Sequence, residues 1–297
     1  MITFKKIELE DREILSPLLT AMGNRDCNLS FVNLYSWQFL TRGCFAVVNG
    51  TPVIRFVLEQ ERIFYHVPAG SEHRSEIVKQ LIATDRERGD VTRLFGVFPG
   101  LLSWLDEDFP GKFHYRINRD SFDYIYSRQE LVELKGKDFQ AKRNHVNKFR
   151  RTYAYDYAPL TPDLVPQCLA LEEEWYRQRV GAIPKSLLNE RKALTLALQH
   201  MEELKLLGGV LRVGGKVVAF SYGTPVSGDT FDVHIEKADS SISGAYNTIN
   251  QELAGHVPEE YLYINREEDL GLPGLRKAKL SYRPRFLLEK GFAEYQP

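Results

Sequence analysis

Asp232, His234 and Glu236 alternate with Phe231, Val233 and Ile235 along TFDVHIEKA. A strand with a side-chain period of two therefore lines three ionisable groups on one face. Such groups are costly on a central strand unless they are paired or wet. Beside a reactive donor, Glu236 or His234 has the chemistry to take a proton from an attacking amine. A solvated face on an edge strand is the competing arrangement, and strand order decides between them. His234 has no second His or Cys at metal-ligand spacing, so no metal is expected there. The residues that follow, Ser240, Ser241, Ser243, Gly244 and Ala245, open the helical pattern AYNTINQELAGHV. Unpaired N–H groups and hydroxyls at such a helix start attract phosphate.

Two further clusters carry charge. Residues 135–151 hold Lys135, Lys137, Lys142, Arg143, Lys148, Arg150 and Arg151 against the single acid Asp138. Phe139, Val146 and Phe149 give that segment one packing stripe, with cations free to grip phosphates of a transfer RNA or a cofactor, or simply to face solvent. Asn265, Arg266, Glu267, Glu268 and Asp269 follow the strand YLYIN, and ligands of open α/β sheets sit beyond strand carboxyl ends. Acids at that place suit an amino substrate or a general base; they equally suit charge compensation of Arg276, Lys277 and Lys279.

These groups sit in one run of hairpin, strand, loop, helix, strand and helix. Gly214-Gly215 supplies the positive φ of a two-residue turn between twisted strands. The first half repeats the order: a strand over 2–9, a helix over 11–22, a second helix in NLSFVNLYSWQFL, and a hairpin across Asn49-Gly50. Then come a strand over 62–67, a helix in SEHRSEIVKQLIATDRERG, the strand TRLFGVF and a short helix near 101–105. From Tyr153 the second copy runs through strand YAYDYAPL and two helices into the unit above. Two mixed α/β modules are expected, residues 1–134 and 135–297. The first keeps only Gly70 and Ser71 at the equivalent loop, and is expected to be structural or to form one wall of a cleft.

The chain has 297 residues, a formal net charge of −1, 43% hydrophobic and 27% charged residues. That balance is ordinary for a soluble globular protein and gives no global pull toward nucleic acid or anionic lipid. Cys27, Cys44 and Cys168 are odd in number and unclustered, which argues against a disulfide framework and fits the cytoplasm. No apolar run reaches the ~20 residues of a membrane span, and the start is charged too early for a secretory leader.

With these residues in view the chain resembles a tandem of the Gcn5-related N-acetyltransferase (GNAT) fold. More closely it is similar to the C-terminal domain of phosphatidylglycerol lysyltransferases. KGKDFQAKRNHVNKFRR resembles the K-x-R-x-x-I/V-x-K segment opening the second module there and in Fem-type peptidoglycan aminoacyltransferases, with Lys142, Arg143, Val146 and Lys148 in place. FDVHIEKADSSISGAYNTIN resembles the acyl-donor strand and phosphate loop, with Ser-Ile-Ser-Gly-Ala for the usual Arg/Gln-x-x-Gly-x-Gly/Ala. LRKAKLSYRPRFL resembles the lysyltransferase ending. The resemblance implies an acyl- or aminoacyltransferase acting on an amine or hydroxyl acceptor, a small molecule or a lipid headgroup. An acyl-coenzyme A donor such as acetyl-CoA would use the backbone of Ile235 and Lys237 and the start at Ser240, Ser243, Gly244, Ala245 and Tyr246. An aminoacyl-tRNA donor would lean on Lys142, Arg143 and Lys148. Glu236 or Glu267 would serve as base, and Tyr282 would protonate the leaving group. A module that keeps the fold only to sense coenzyme A or RNA is the alternative.

Overall fold

The computed structural model describes residues 2–58, 61–68, 70–97, 99–177 and 183–297. The expected strand end at residue 98 and helix end at 178–179 lie outside these residues. In chain order the strands are β1 (Lys5–Lys6), β2 (Cys44–Val48), β3 (Thr51–Leu58), β4 (Arg62–His66), β5 (Arg93–Val97), β6 (Phe113–Ile117) and β7 (Asp123–Ser127). There follow β8 (Tyr155–Pro159), β9 (Leu207–Val213), β10 (Lys216–Pro225), β11 (Thr230–Ala238), β12 (Tyr263–Asn265), β13 (Phe286–Leu288) and β14 (Lys290–Tyr295). The helices are α1 (Arg12–Ala21), α2 (Phe31–Ser36), α3 (Gln38–Thr41), α4 (Arg74–Glu87), α5 (Gly100–Asp108) and α6 (Arg128–Glu133). The second half adds α7 (Gln140–Thr152), α8 (Val165–Arg177), α9 (Lys185–Gln199), α10 (Ala245–His256) and α11 (Pro273–Leu280). None of them is long and apolar enough to cross a membrane.

Each half builds a seven-stranded mixed sheet in the same spatial order. The first runs β1-β2-β3-β4-β5-β14-β6 and the second β8-β9-β10-β11-β12-β7-β13. Position for position the two orders match, which bears out two copies of one module. The sixth place in each is filled from the opposite half of the sequence: β14 lies between β5 and β6, and β7 lies between β12 and β13. The compact units are accordingly discontinuous. One comprises Met1–Asp123, Glu268–Arg276 and Leu287–Pro297, the other Tyr124–Glu267 and Lys277–Phe286. A division by chain order between residues 134 and 135 does not capture this exchange, because pairing across more than a hundred residues leaves no local mark.

Both hairpins turn where expected. Asn49 and Gly50 have φ of 49° and 75°, and Gly214 and Gly215 of 57° and 77°, the double positive φ of the turn that matches strand twist. The expected single helix in NLSFVNLYSWQFL is instead α2 and α3, broken at Trp37, which sits at φ −99°, ψ 2°. In the second unit α10 covers the sheet with Ile249 and Ala245 against Ala219 and Ala238, and Phe149 of α7 joins that cluster. The packing stripe of α7 is thus Val146 and Phe149, both buried, while Lys142 and Arg143 are half-buried and Lys148, Arg150 and Arg151 are exposed.

In the second unit β11 and β12 are parallel neighbours, paired only from Thr230↔Tyr263 to Asp232↔Asn265. β11 runs on to Ala238 after β12 has ended. This fork between parallel strands, at their carboxyl ends, is the place where the fold leaves room for a ligand.

Candidate functional site

The expectation of three ionisable groups on one face of β11 is corrected by a β-bulge. Tyr222 pairs with Ile235 and Gly223 with Val233, so His234 is an extra residue against β10. A bulge of one residue reverses the alternation. Asp232 and His234 therefore go with Thr224 of β10, while Glu236 goes with Asn250 of α10.

His234 is held on both ring nitrogens. Nε2 lies 2.9 Å from Thr224 Oγ1, and Nδ1 lies 3.1 Å from Glu267 Oε1 and 3.4 Å from Asp232 Oδ2. The His234 and Asp232 side chains are 3% and 0% exposed, whereas that of Glu267 is 26% exposed and reaches solvent. Glu267 adopts φ 59°, a left-handed conformation uncommon outside glycine. Its N–H donates to Asn265 Oδ1 at 2.6 Å. The three ligand atoms of Asp232, His234 and Glu267 lie within 4.8 Å of one another. Local spacing gave His234 no partner; the fold supplies one from the end of β12. Such a group can hold a cation, either a metal or an ammonium.

Arg266, one residue earlier, turns to the other cluster. Its Nη2 donates to Glu236 Oε1 at 2.9 Å, and Asn250 Nδ2 donates to Glu236 Oε2 at 2.9 Å. Burial works against the Arg266 charge, and Glu236 with Tyr126 and Tyr282 outweighs it. The guanidinium lies 4.8 Å from the centroid of the Tyr282 ring, and Lys142 Nζ lies 4.0 Å from that centroid. Burial and then Arg266 hold the Lys142 amine below its ordinary range. Tyr282 Oη accepts from Asn247 Nδ2 at 2.6 Å, and burial pushes its phenol up to about 12. Tyr126 packs on the Tyr282 ring edge-on and donates to the Lys279 carbonyl. Arg266 Nη1 and Asn250 Oδ1 are buried with no hydrogen-bond partner among the described residues. The basic segment, the donor strand and the tail thus meet in one cluster.

The remaining expected site residues are placed as follows. The Ile235 carbonyl accepts from Ser221 Oγ at 2.7 Å. The Lys237 ammonium pairs with Glu190 and lies 4.4 Å from the Trp175 ring centroid, away from the fork. Arg143 gives its guanidinium to the carbonyls of Leu134 and Gly136. Lys148 is exposed. Ser240 is exposed, Ser243 and Tyr246 are half-buried, and Ala245 is buried. In the loop before α10 the Asp239 carboxylate accepts from the N–H and hydroxyl of Ser241 at 2.8 and 2.7 Å. That carboxylate takes the kind of donor a phosphate would seek.

Gly244 is the N-cap of α10 at φ 89° with no side-chain cap. A Cβ there would lie 2.5 Å from the His145 carbonyl oxygen and 2.9 Å from Phe149 Cβ, so α7 crosses the helix start on backbone contact. We expect Gly244→Ala to lower stability by about 1–3 kcal/mol from the backbone conformation alone, with the clash adding to it. The urea midpoint measures this; a loss confined to that range means that α7 gives way, and an unchanged midpoint contradicts the expected backbone cost.

Asn250, Asn247, Thr224 and Tyr126 did not stand out in the sequence as parts of a site, and Arg266 stood out only as one member of the run after YLYIN. Only strand order and the bulge bring them to it.

The profile of the family described as phosphatidylglycerol lysyltransferase, C-terminal, matches residues 20–292. A conserved protein of unknown function from Bacteroides thetaiotaomicron VPI-5482 is 44% identical, with a TM-score of 0.92 and coverage of 100% of both chains. L-PGS from Bacillus licheniformis is 15% identical with a TM-score of 0.67, over 96% of this chain and 92% of that one, and shows the fold alone. The uncharacterized protein MYCGA3080 of Mycoplasmoides gallisepticum (strain R(low / passage 15 / clone 2)) is 25% identical over 178 residues, 59% of this chain. The match spans 56% of that protein's length. The fold is two tandem GNAT-like units.

Proposed function

The chain belongs to the phosphatidylglycerol lysyltransferase C-terminal family, and from that membership and the fork of β11 and β12 we propose that its second unit transfers an aminoacyl group from an aminoacyl ester to an amine or hydroxyl acceptor. One observation carries the reading. Around Tyr282, Arg266 Nη1 is a buried proton donor with no partner among the described residues, and the Lys142 ammonium and the Tyr282 hydroxyl stand beside it. One residue away, Asp232 and Glu267 put two carboxylates on His234. An aminoacyl ester supplies the acceptors that these donors lack, a carbonyl and a leaving oxygen, and its attacking partner supplies the proton that the carboxylates can take.

The acceptor nitrogen or oxygen attacks the ester carbon; the new bond forms as the carbon–oxygen bond to the donor breaks. The proton of the acceptor passes to Glu267, directly or through His234. Tyr282, protonated at neutral pH because burial pushes its phenol up to about 12, gives a proton to the leaving oxygen. Lys142 and Arg266 face the developing oxyanion, a role in which prepositioned charge is worth most. Both oxygens of Glu236 are taken by Arg266 and Asn250, which suits it to positioning Arg266. Aminoacyl-tRNA is the donor class this reading favours over acetyl-CoA, since Asp239 takes the donors of Ser241 in the loop and α7 crosses the start of α10 on backbone contact.

The test is single-turnover consumption of aminoacyl-tRNA in the presence and absence of an amine panel and of lipid vesicles. Acceptor-dependent loss of the ester supports transfer. Saturable binding without consumption favours a sensor, and consumption of acetyl-CoA instead favours the thioester donor. Chelation by EDTA should leave the rate unchanged; a lost rate would assign Asp232, His234 and Glu267 to a metal.

Of Lys142, Arg143 and Lys148, the three α7 cations expected to meet a transfer RNA, only Lys148 is outside the internal contacts described above. Lys148→Ala should flatten the dependence of log K on log salt for charged tRNA by roughly 0.7–0.9, the share of one phosphate contact. Arg143→Ala should instead lower the melting temperature, because its donors hold the loop at 134–136. An unchanged salt slope in Lys148→Ala removes α7 from the RNA surface.

A further inference from the structure

The cations of α11 divide their work. Lys277 is exposed, and Arg276 donates to Asp269 from Nε and Nη2 at 2.7 and 2.8 Å, the charge compensation expected of this run. Lys279 departs from it. The residue is 9% exposed, and its Nζ turns inward to donate to the Arg266 carbonyl at 2.6 Å. A buried ammonium is costly unless it is hydrogen-bonded, and a charge-assisted bond of this length is among the strong ones.

That carbonyl belongs to the peptide between Arg266 and Glu267, two neighbours that serve different clusters. Arg266 reaches Glu236 and the Tyr282 ring, and Glu267 reaches His234. β12 has already ended at Asn265, and Glu267 stands at φ 59°. A left-handed conformation persists outside glycine only where its surroundings over-determine it. Here the peptide is gripped on both sides: Lys279 donates to its carbonyl, and Asn265 Oδ1 accepts from its N–H at 2.6 Å. The Arg266 N–H is fixed in turn on the Tyr124 carbonyl at 3.0 Å. Release of the peptide lets φ of Glu267 relax and moves its carboxylate relative to His234, which Thr224 holds from the other side.

Resting on the transfer reading above, we propose that Lys279 is a positioning residue. Its ammonium holds the Arg266–Glu267 peptide so that the Glu267 carboxylate meets His234 and the proton of the acceptor.

Lys279→Met keeps the bulk and removes the donor, Lys279→Arg keeps a charged donor, and Asn265→Leu frees the same peptide from its N–H side. Imidazole ¹H–¹⁵N spectra, with His234 assigned by its loss in His234→Gln, read the Glu267 contact with no substrate present. Glu267→Ala marks the signals of a His234 that has lost it. Lys279→Met and Asn265→Leu should move His234 toward those signals, and Lys279→Arg should stay near wild type. In single turnover of charged tRNA, Lys279→Met should slow transfer by about 10²-fold at unchanged donor affinity, the scale of a misplaced catalytic group. Joined to Glu267→Gln it should add little, because the two act through one carboxylate. A lysine that only supports the fold slows both backgrounds alike, or neither. The proposal is overturned if His234 keeps its wild-type signals in whichever of Lys279→Met and Asn265→Leu folds, or if the slowing multiplies with that of Glu267→Gln. A wild type that transfers nothing while the His234 signals move as expected overturns the transfer reading alone.

Discussion

Glu267→Gln should leave aminoacyl-tRNA binding in place and lower transfer by roughly 10²- to 10⁴-fold, the range for loss of a general base. The substitution keeps shape and the hydrogen bond to His234, so a fall in rate without a fall in affinity reports the chemistry. Glu236→Gln is the instructive contrast. It leaves the Arg266 guanidinium, 13% exposed, without its carboxylate, and removing one partner of a mostly buried pair costs about 3–5 kcal/mol. Its signature is therefore a lower melting temperature together with a poorer oxyanion site. Should Glu236→Gln keep its stability and lose the rate while Glu267→Gln keeps both, the two carboxylates exchange roles. If both retain full transfer, neither is the base.

An effect on stability of the same size is expected at Lys290. Its side chain is fully buried at the start of β14, with Nζ 3.0 Å from Asp26, 2.8 Å from Asp123 and 2.7 Å from Glu268. Burial alone would depress this amine; Asp123, Asp26, Cys27 and Glu268 outweigh it and hold it well above its ordinary range. Lys290→Met keeps the volume and leaves three carboxylates facing one another, so about 3–5 kcal/mol is lost of a total that for a domain is about 5–15 kcal/mol. The loss depends on pH. Burial raises folded Asp123 from 3.8 to about 6 even with Lys290 present, so between those values the folded chain holds the extra proton. That contribution to stability is complete below pH 3.8 and gone above about 6. Without the lysine the carboxyl rises further, and the gap in melting temperature between wild type and variant should be smaller at pH 5 than at pH 7.5. A gap that widens on acidification contradicts this account of the cluster.

What the sequence disclosed is local. Asn49-Gly50 and Gly214-Gly215 announced their hairpins because only a few residues tolerate two successive positive φ values. The stripe of Val146 and Phe149 announced α7. The carboxyl end of YLYIN announced a ligand-facing run, and Tyr282 with Lys142 came from the resemblance. What stayed hidden depends on partners far along the chain. The bulge at His234 arises from its mismatch with Tyr222 and Gly223 of β10, and nothing in TFDVHIEKA marks it. The exchange of β7 and β14 joins residues separated by more than a hundred positions. Arg266 looked like one charge in a mixed run until Glu236 and Tyr282 were beside it.

The most direct measurement is the fate of a charged tRNA bound to the purified chain at single turnover. Ester consumption should require an amine or hydroxyl acceptor, proceed in EDTA, and fall by roughly 10²-fold or more in Glu267→Gln at undiminished donor affinity. Donor that binds saturably and stays intact with every acceptor, in wild type and variant alike, would contradict transfer and leave the second unit a sensor.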